Sequence, residues 1–233
     1  MEVFNAFRRR GHYSVGIYNI LIENLLKIKE RKKALVLFEE MQSSDDCKPD
    51  SCTYSHMIPC FVDEENIEEA CSCYNLMMKA VWIPSISAYC ALVKGLCKKG
   101  EINAAISLVK DCLGNVENGP MEFKYTLTIL EACQSKSPEK VIKVVDEMIE
   151  LGYSIEEIIY SAIIYGFCKY ASSTEARKVL STMRDRNIIS EANYIVYEDM
   201  LNEHLKNVTA DLVISGLKFL DLESKLKWRS RDD

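Results

Sequence analysis

No apolar run in the 233 residues approaches the ~20 that a membrane-spanning helix needs, so the chain is not expected to cross a bilayer. Excess positive charge is missing too. The formal net charge is −6 and the pI about 5.3, which excludes nucleic-acid binding driven by overall electrostatics and leaves such a role only to a local groove. Metal motifs are absent: there is no C-x-x-C, Cys71-Ser72-Cys73 has no second pair, and none of His12, His56 and His204 opens the H-x-E of a zinc deaminase. Gly95 and Gly100 have the spacing of a phosphate loop, but Glu101 and Ile102 stand where Lys and Ser or Thr are required. Asn207-Val208-Thr209 fits a glycosylation sequon, a triplet common by chance. No enzyme activity, cofactor, metal or small-molecule substrate is therefore expected.

What is present is a repeat. From Val15 to Asp50, Tyr18, Leu21, Ile22, Leu25 and Leu26 fall on one face of a helix, Lys27 to Lys33 interrupts, and Ala34, Leu35, Leu37, Phe38 and Met41 form a second stripe. Pro49 ends it, having no N–H to continue a helix. Tyr18 then recurs as Tyr54, Tyr89, Tyr125 and Tyr160, at spacings of 36, 35, 36 and 35 residues. The small residue opening each second helix recurs as Ala34, Ala70, Ala105 and Ala176, with Val141 in the fourth copy. Such a period marks an all-α solenoid of stacked helix hairpins. The units run 15–50, 51–85, 86–121, 122–156 and 157–191. Residues 1–14 are expected to be the remnant of a preceding repeat, with Val3, Phe4 and Phe7 on its second-helix stripe and Gly11 closing it. Residues 192–233 are expected to form a degenerate repeat or cap followed by a charged tail. A mild kink is expected at Pro59 and a soft point at 114–120. Of the ten cysteines, Cys97, Cys133 and Cys168 take equivalent core places late in the first helices, and reduced, buried thiols are expected there.

The segments YNILIENLLKIKERKKALVLFEEMQ, YSHMIPCFVDEENIEEACSCYNLM, YCALVKGLCKKGEINAAISLV and YSAIIYGFCKYASSTEARKVLSTM resemble pentatricopeptide repeats (PPR) of the plain class, and the resemblance covers Val15 to Glu191. It implies a right-handed α-solenoid of antiparallel helix hairpins whose first helices line a groove for single-stranded RNA. The chain is read as a C-terminal fragment of a plant organellar protein, mitochondrial rather than chloroplast, with no targeting peptide visible.

In the family, the residue after the repeated Tyr and the last residue of the unit together read one base. Carried over, the pairs are Asn19 with Asp50, Ser55 with Ser85, Cys90 with Met121, Thr126 with Glu156, and Ser161 with Glu191. Only Asn19 with Asp50 matches a family combination well, the one for uridine. An Asn amide offers a pyrimidine edge one donor and one acceptor, and a carboxylate can hold it in orientation. The base-sandwiching places hold Cys52, Phe123 and Ile158, with Gly16 and Ser87 in the other two units. Lys27, Lys98 and Lys169 take a place where the family often has a lysine facing the RNA backbone, although a lysine at a helix C-terminus is also favourable with the helix dipole. The resemblance thus implies an RNA binder acting by occupancy in processing, stability or translation of transcripts, other proteins being further partners. The alternative is a helical-repeat scaffold holding a peptide or protein in the same groove, which acidic charge and four poorly matched pairs favour.

Overall fold

A computed structural model of the chain describes residues 14–115 and 119–207. The expected repeat remnant, the centre of the 114–120 loop, the apolar stretch Ala210 to Leu220 and the charged tail lie outside the described residues. The described helices are α1 Val15–Lys27, α2 Arg31–Ser43, α3 Ser51–Asp63, α4 Ile67–Lys79, α5 Ile86–Lys98, α6 Ile102–Asn115, α7 Met121–Gln134, α8 Pro138–Glu150, α9 Glu157–Tyr170 and α10 Ser173–Asp185. A further helix, α11, spans 191–207. Two compact units divide after Leu127, within α7.

The first hairpin shows how the sequence builds each unit. Helix α1 buries Tyr18, Asn19 and Ile22, while α2 buries Ala34, Leu37, Phe38 and Met41. The charged joint is shorter than the Lys27 to Lys33 interruption suggests, because Arg31 to Lys33 form the first turn of α2. Lys29 takes a left-handed φ of 61°, letting its N–H reach the Leu26 carbonyl at 3.0 Å and the Glu30 N–H reach Leu25 at 2.8 Å. This satisfies carbonyls that a helix end leaves unpaired. The same closure recurs at Glu65, Gly100 and Lys136 after first helices, and at Val81, Gly152 and Asn187 after second helices.

Caps set the starts. Asp50 caps α3, Asn66 caps α4 and Ser85 caps α5, each side chain accepting a backbone N–H three residues on. Pro138 sits in the first turn of α8, where its missing N–H costs nothing, and Ser137 holds the N-cap place without a side-chain bond. Pro59 lies inside α3, which continues through it to Asp63.

Within residues 14–127 the hairpins are α1 with α2, α3 with α4 and α5 with α6, and the first helices also pack side by side, α1 on α3 and α3 on α5. An aromatic cluster joins them: Phe38 meets Tyr54 and Phe61 edge-on, each at 5.8 Å, and Tyr89 meets Phe123 at 6.4 Å. Gly95 permits the closest approach. A Cβ there would lie 2.6 Å from Ile67 Cδ1 and 3.1 Å from Val62 Cγ1.

Within residues 128–207, α9 packs on α10, and α10 also contacts α8. Gly166, two repeats on from Gly95, lies against α7, where a Cβ would stand 2.9 Å from Cys133 Sγ. Helix α11 docks here through Tyr197 stacked on Tyr160 at 3.9 Å, buried Leu201, and Arg177, which reaches Glu198 at 3.3 Å and Asn202 at 2.6 Å. All ten cysteines are free thiols. Burial pushes Cys73 and Cys97 up to about 12 and Cys60, Cys112 and Cys168 up to about 11; Cys133 is also buried, whereas Cys168 is only half-buried. No described helix is long and apolar enough to cross a membrane.

Candidate nucleic-acid interface

The best-formed of the expected reading positions lies between α1 and the start of α3. Asn19 is 7% exposed, and its Nδ2 donates to Asp50 Oδ1 at 3.0 Å, joining residues 31 apart in sequence. Asp50 is fixed because it is the N-cap of α3. Its Oδ1 also accepts the Thr53 N–H at 2.9 Å, and its own N–H donates to Thr53 Oγ1 at 3.1 Å, completing a capping box. Burial acts to raise the Asp50 pKa, but bonds from the Thr53 N–H, the Asn19 amide, the Thr53 hydroxyl and the Cys52 N–H outweigh it, holding the carboxyl below its ordinary value of 3.8. The pair is therefore an amide clamped by a carboxylate anion at neutral pH.

At the second pair, Ser55 Oγ accepts the Ser85 N–H at 3.3 Å, while Ser85 Oγ caps α5 by accepting the Ala88 N–H at 3.2 Å. The two serines meet through backbone, and the Ser85 hydroxyl retains its donor. Cys90 on α5 and Met121 at the start of α7 are both half-buried. Thr126 is fully buried and donates to the Glu122 carbonyl at 2.6 Å, one turn earlier on its own helix. Glu156 is exposed at the N-cap of α9 and accepts from the Ser154 hydroxyl at 2.8 Å. Ser161 is 3% exposed within α9, and Glu191 is exposed at the start of α11. Thr126 and Ser161, as placed, offer a base little or nothing.

The sandwiching places divide similarly. Cys52 is exposed, with Sγ 3.9 Å from His56 Nδ1 on the next turn. Phe123 and Ile158 are 1% and 4% exposed, so both side chains are occupied by packing. Among the described residues no group of three His, Cys, Asp or Glu side chains is placed to hold a metal ion.

All three lysines are exposed at the ends of first helices, but two already meet carboxylates. Lys27 pairs with Glu23 at 2.7 Å, one turn back, and Lys98 with Glu65 of the preceding joint at 2.7 Å. The Lys98 contact belongs to a series between neighbouring hairpins: Arg31 meets Asp63 at 2.8 Å and Glu64 at 3.7 Å, and Lys99 meets Glu68 at 2.9 Å. These pairs are exposed and screened by solvent, so they add little to stability, and their chief effect is to neutralise charge along this edge. Lys169 lies in the last turn of α9. A recess of about 560 Å³ lies between α4 and the end of α5, lined by Ile67, Cys71, Asn75, Leu96 and Lys99; none of the expected reading residues lines it.

Sequence reasoning missed Thr53 and the ion-pair series. The first had a signal in Asp50-Ser51-Cys52-Thr53, a cap followed three residues later by a hydroxyl side chain. The second had none, since it depends on which joint residue faces the neighbouring unit.

Comparison with known proteins matches residues 14–63 and 49–98 to the PPR repeat family and residues 87–115, 125–153 and 158–188 to the PPR repeat. A pentatricopeptide repeat-containing protein of Arabidopsis thaliana is 48% identical over 227 residues, covering 97% of this chain and 31% of that relative. An Arabidopsis small ribosomal subunit protein is 27% identical over 180 residues, covering 75% of this chain and 42% of its own length. The chain thus spans less than half of either relative. Among solved structures, the maize pentatricopeptide repeat protein PPR10 in complex with an 18-nt psaJ RNA element aligns with a TM-score of 0.50 at 18% identity, over 78% of this chain and 27% of that one. This is a likeness of fold, the α-solenoid of helical hairpins. With its repeats matched through most of their length, the chain belongs to the pentatricopeptide repeat family.

Proposed function

We propose that this chain is part of a single-stranded RNA-binding protein of plant organelles, acting by occupancy to protect, remodel or expose a transcript segment without covalent chemistry of its own. The observation that carries the reading is the Asn19–Asp50 bond, which holds an amide at the place where the family reads a base. An amide so held keeps one donor and one acceptor for a uridine edge. Membership of the family and the RNA bound to the aligned maize protein support the same reading. The mitochondrion is favoured over the chloroplast because two of the Arabidopsis relatives carry "mitochondrial" in their names.

The geometry favours few strong contacts. We assign base reading first to Asn19 and Asp50 and next to Ser55 with Ser85, with Cys52 as the open stacking place. Cys90 with Met121 offers only weak polar contact, and Glu156 and Glu191 stand without an accessible partner beside the repeated Tyr. Lys169 is the first choice for a phosphate, whereas Lys27 and Lys98 would have to leave Glu23 and Glu65.

The second reading, a scaffold for a peptide, draws on the buried Thr126 and Ser161 and the net charge of −6. Selection from random short RNAs at low salt separates the two. Enrichment of U at one fixed place, abolished by Asn19→Ala, supports RNA; no retained RNA favours the scaffold.

A further inference from the structure

Thr53 is fully buried and lies beside the reading pair without belonging to it in the expected scheme. Asp50, as an anion, can only accept, so the nitrogen of the Asn19 amide must face it, and the oxygen must face the other way. That oxygen accepts from Thr53 Oγ1 at 2.6 Å. The hydroxyl has a single proton. Asp50 Oδ1, at 3.0 Å, is its other acceptor within reach, and the shorter contact marks Asn19 as the recipient. The hydroxyl oxygen in turn accepts the Asp50 N–H. The amide is thus gripped at both ends.

An Asn amide is nearly symmetric in shape, and a half-turn exchanges its donor with its acceptor. Uridine presents a carbonyl acceptor beside an N–H donor, and cytosine presents the reverse, so an amide free to turn would serve both bases. A half-turn here would set Oδ1 against the Asp50 carboxylate, two acceptors face to face, and would send the Thr53 proton from its 2.6 Å bond with the amide oxygen to the longer 3.0 Å contact with Asp50 Oδ1. We infer that Thr53 is a positioning residue that, with Asp50, locks the Asn19 amide in the orientation that accepts uridine and rejects cytosine. This rests on the RNA reading proposed above. At the second, third and fourth pairs the equivalent residue, three after the last of the unit, is Ala88, Lys124 and Ile159, none with a hydroxyl.

The test compares the wild-type chain with Thr53→Val, which keeps the shape and removes the hydroxyl, and Thr53→Ser, which keeps the hydroxyl. The probes are RNAs carrying U, or C, at the place where the wild type selects U. One hydrogen bond corresponds to a loss of U-over-C preference on the order of 3- to 10-fold in Thr53→Val, with Thr53→Ser close to wild type. If Val disturbs the helix, judged by circular dichroism, Thr53→Ala takes its place. A folded Val or Ala variant with an unchanged U-to-C ratio overturns the positioning role and leaves the RNA reading standing. A wild-type chain with no U preference, unaffected by Asn19→Ala, overturns both.

Discussion

Gly95→Ala and Gly114→Ala make the same chemical change in neighbouring helices, and the structure expects opposite signs. At Gly114, in α6, an added Cβ meets nothing within 4 Å, so the change only removes the entropic cost of glycine in a helix, worth up to about 1 kcal/mol and less this close to the helix end. At Gly95 the same gain competes with a Cβ placed 2.6 Å from Ile67 Cδ1 and 3.1 Å from Val62 Cγ1. Ile67 is 7% exposed and Val62 is β-branched, so neither yields freely, and overpacking of this kind costs about 1–3 kcal/mol. Gly95→Ala is therefore expected to fall below Gly114→Ala by about 1–3 kcal/mol. Urea unfolding followed by helical circular dichroism reads the difference. Adding Ile67→Val, which deletes the clashing methyl, should recover part of the loss. A Gly95→Ala chain as stable as Gly114→Ala would refute the close approach of α5 to the α3–α4 joint.

Three further expectations concern the cap, the turns and the thiols. Because the Asp50 carboxyl is held below 3.8, its contribution is present above that pH and lost as pH falls through the folded value, so the stability gap between wild type and Asp50→Asn should narrow in acid; an unchanged gap in pH-dependent urea titrations would remove the charge from the account. Val81 holds a φ of 58° while 88% exposed, so Val81→Asn, which tolerates that backbone better, should stabilise by about 0.5–1 kcal/mol in the same titration. Thiol alkylation of the native chain should reach Cys52 well before Cys73, Cys97 and Cys112, which should react only on unfolding; mass spectrometry of the labelled peptides reads the order.

The helices were legible because the apolar spacing, the recurring Tyr and the Lys-Pro-Asp stop are local signals. The side chains at the site were less so. Equivalent places in a repeat carry equivalent backbone positions, but exposure depends on what stands opposite. Asn19 finds a carboxylate and a hydroxyl from α3 and its cap, whereas Thr126 turns to the carbonyl of Glu122 and disappears from the surface. Phe123 is apolar at a place expected to stack on a base, and the same apolarity buries it against Tyr89. Lys98 sits at the end of its helix as the period requires, yet meets Glu65, whose place in the preceding joint follows no repeated pattern.

The proposed binding mode lays a strand along the first helices with a uridine against Asn19. Photocrosslinking with RNA carrying 4-thiouridine, followed by peptide mapping, probes that placement residue by residue. Adducts are expected at the α1 and α3 residues around Asn19 and Thr53, lost on competition with unmodified RNA. Specific adducts confined to the second helices α2, α4 and α6 would contradict it.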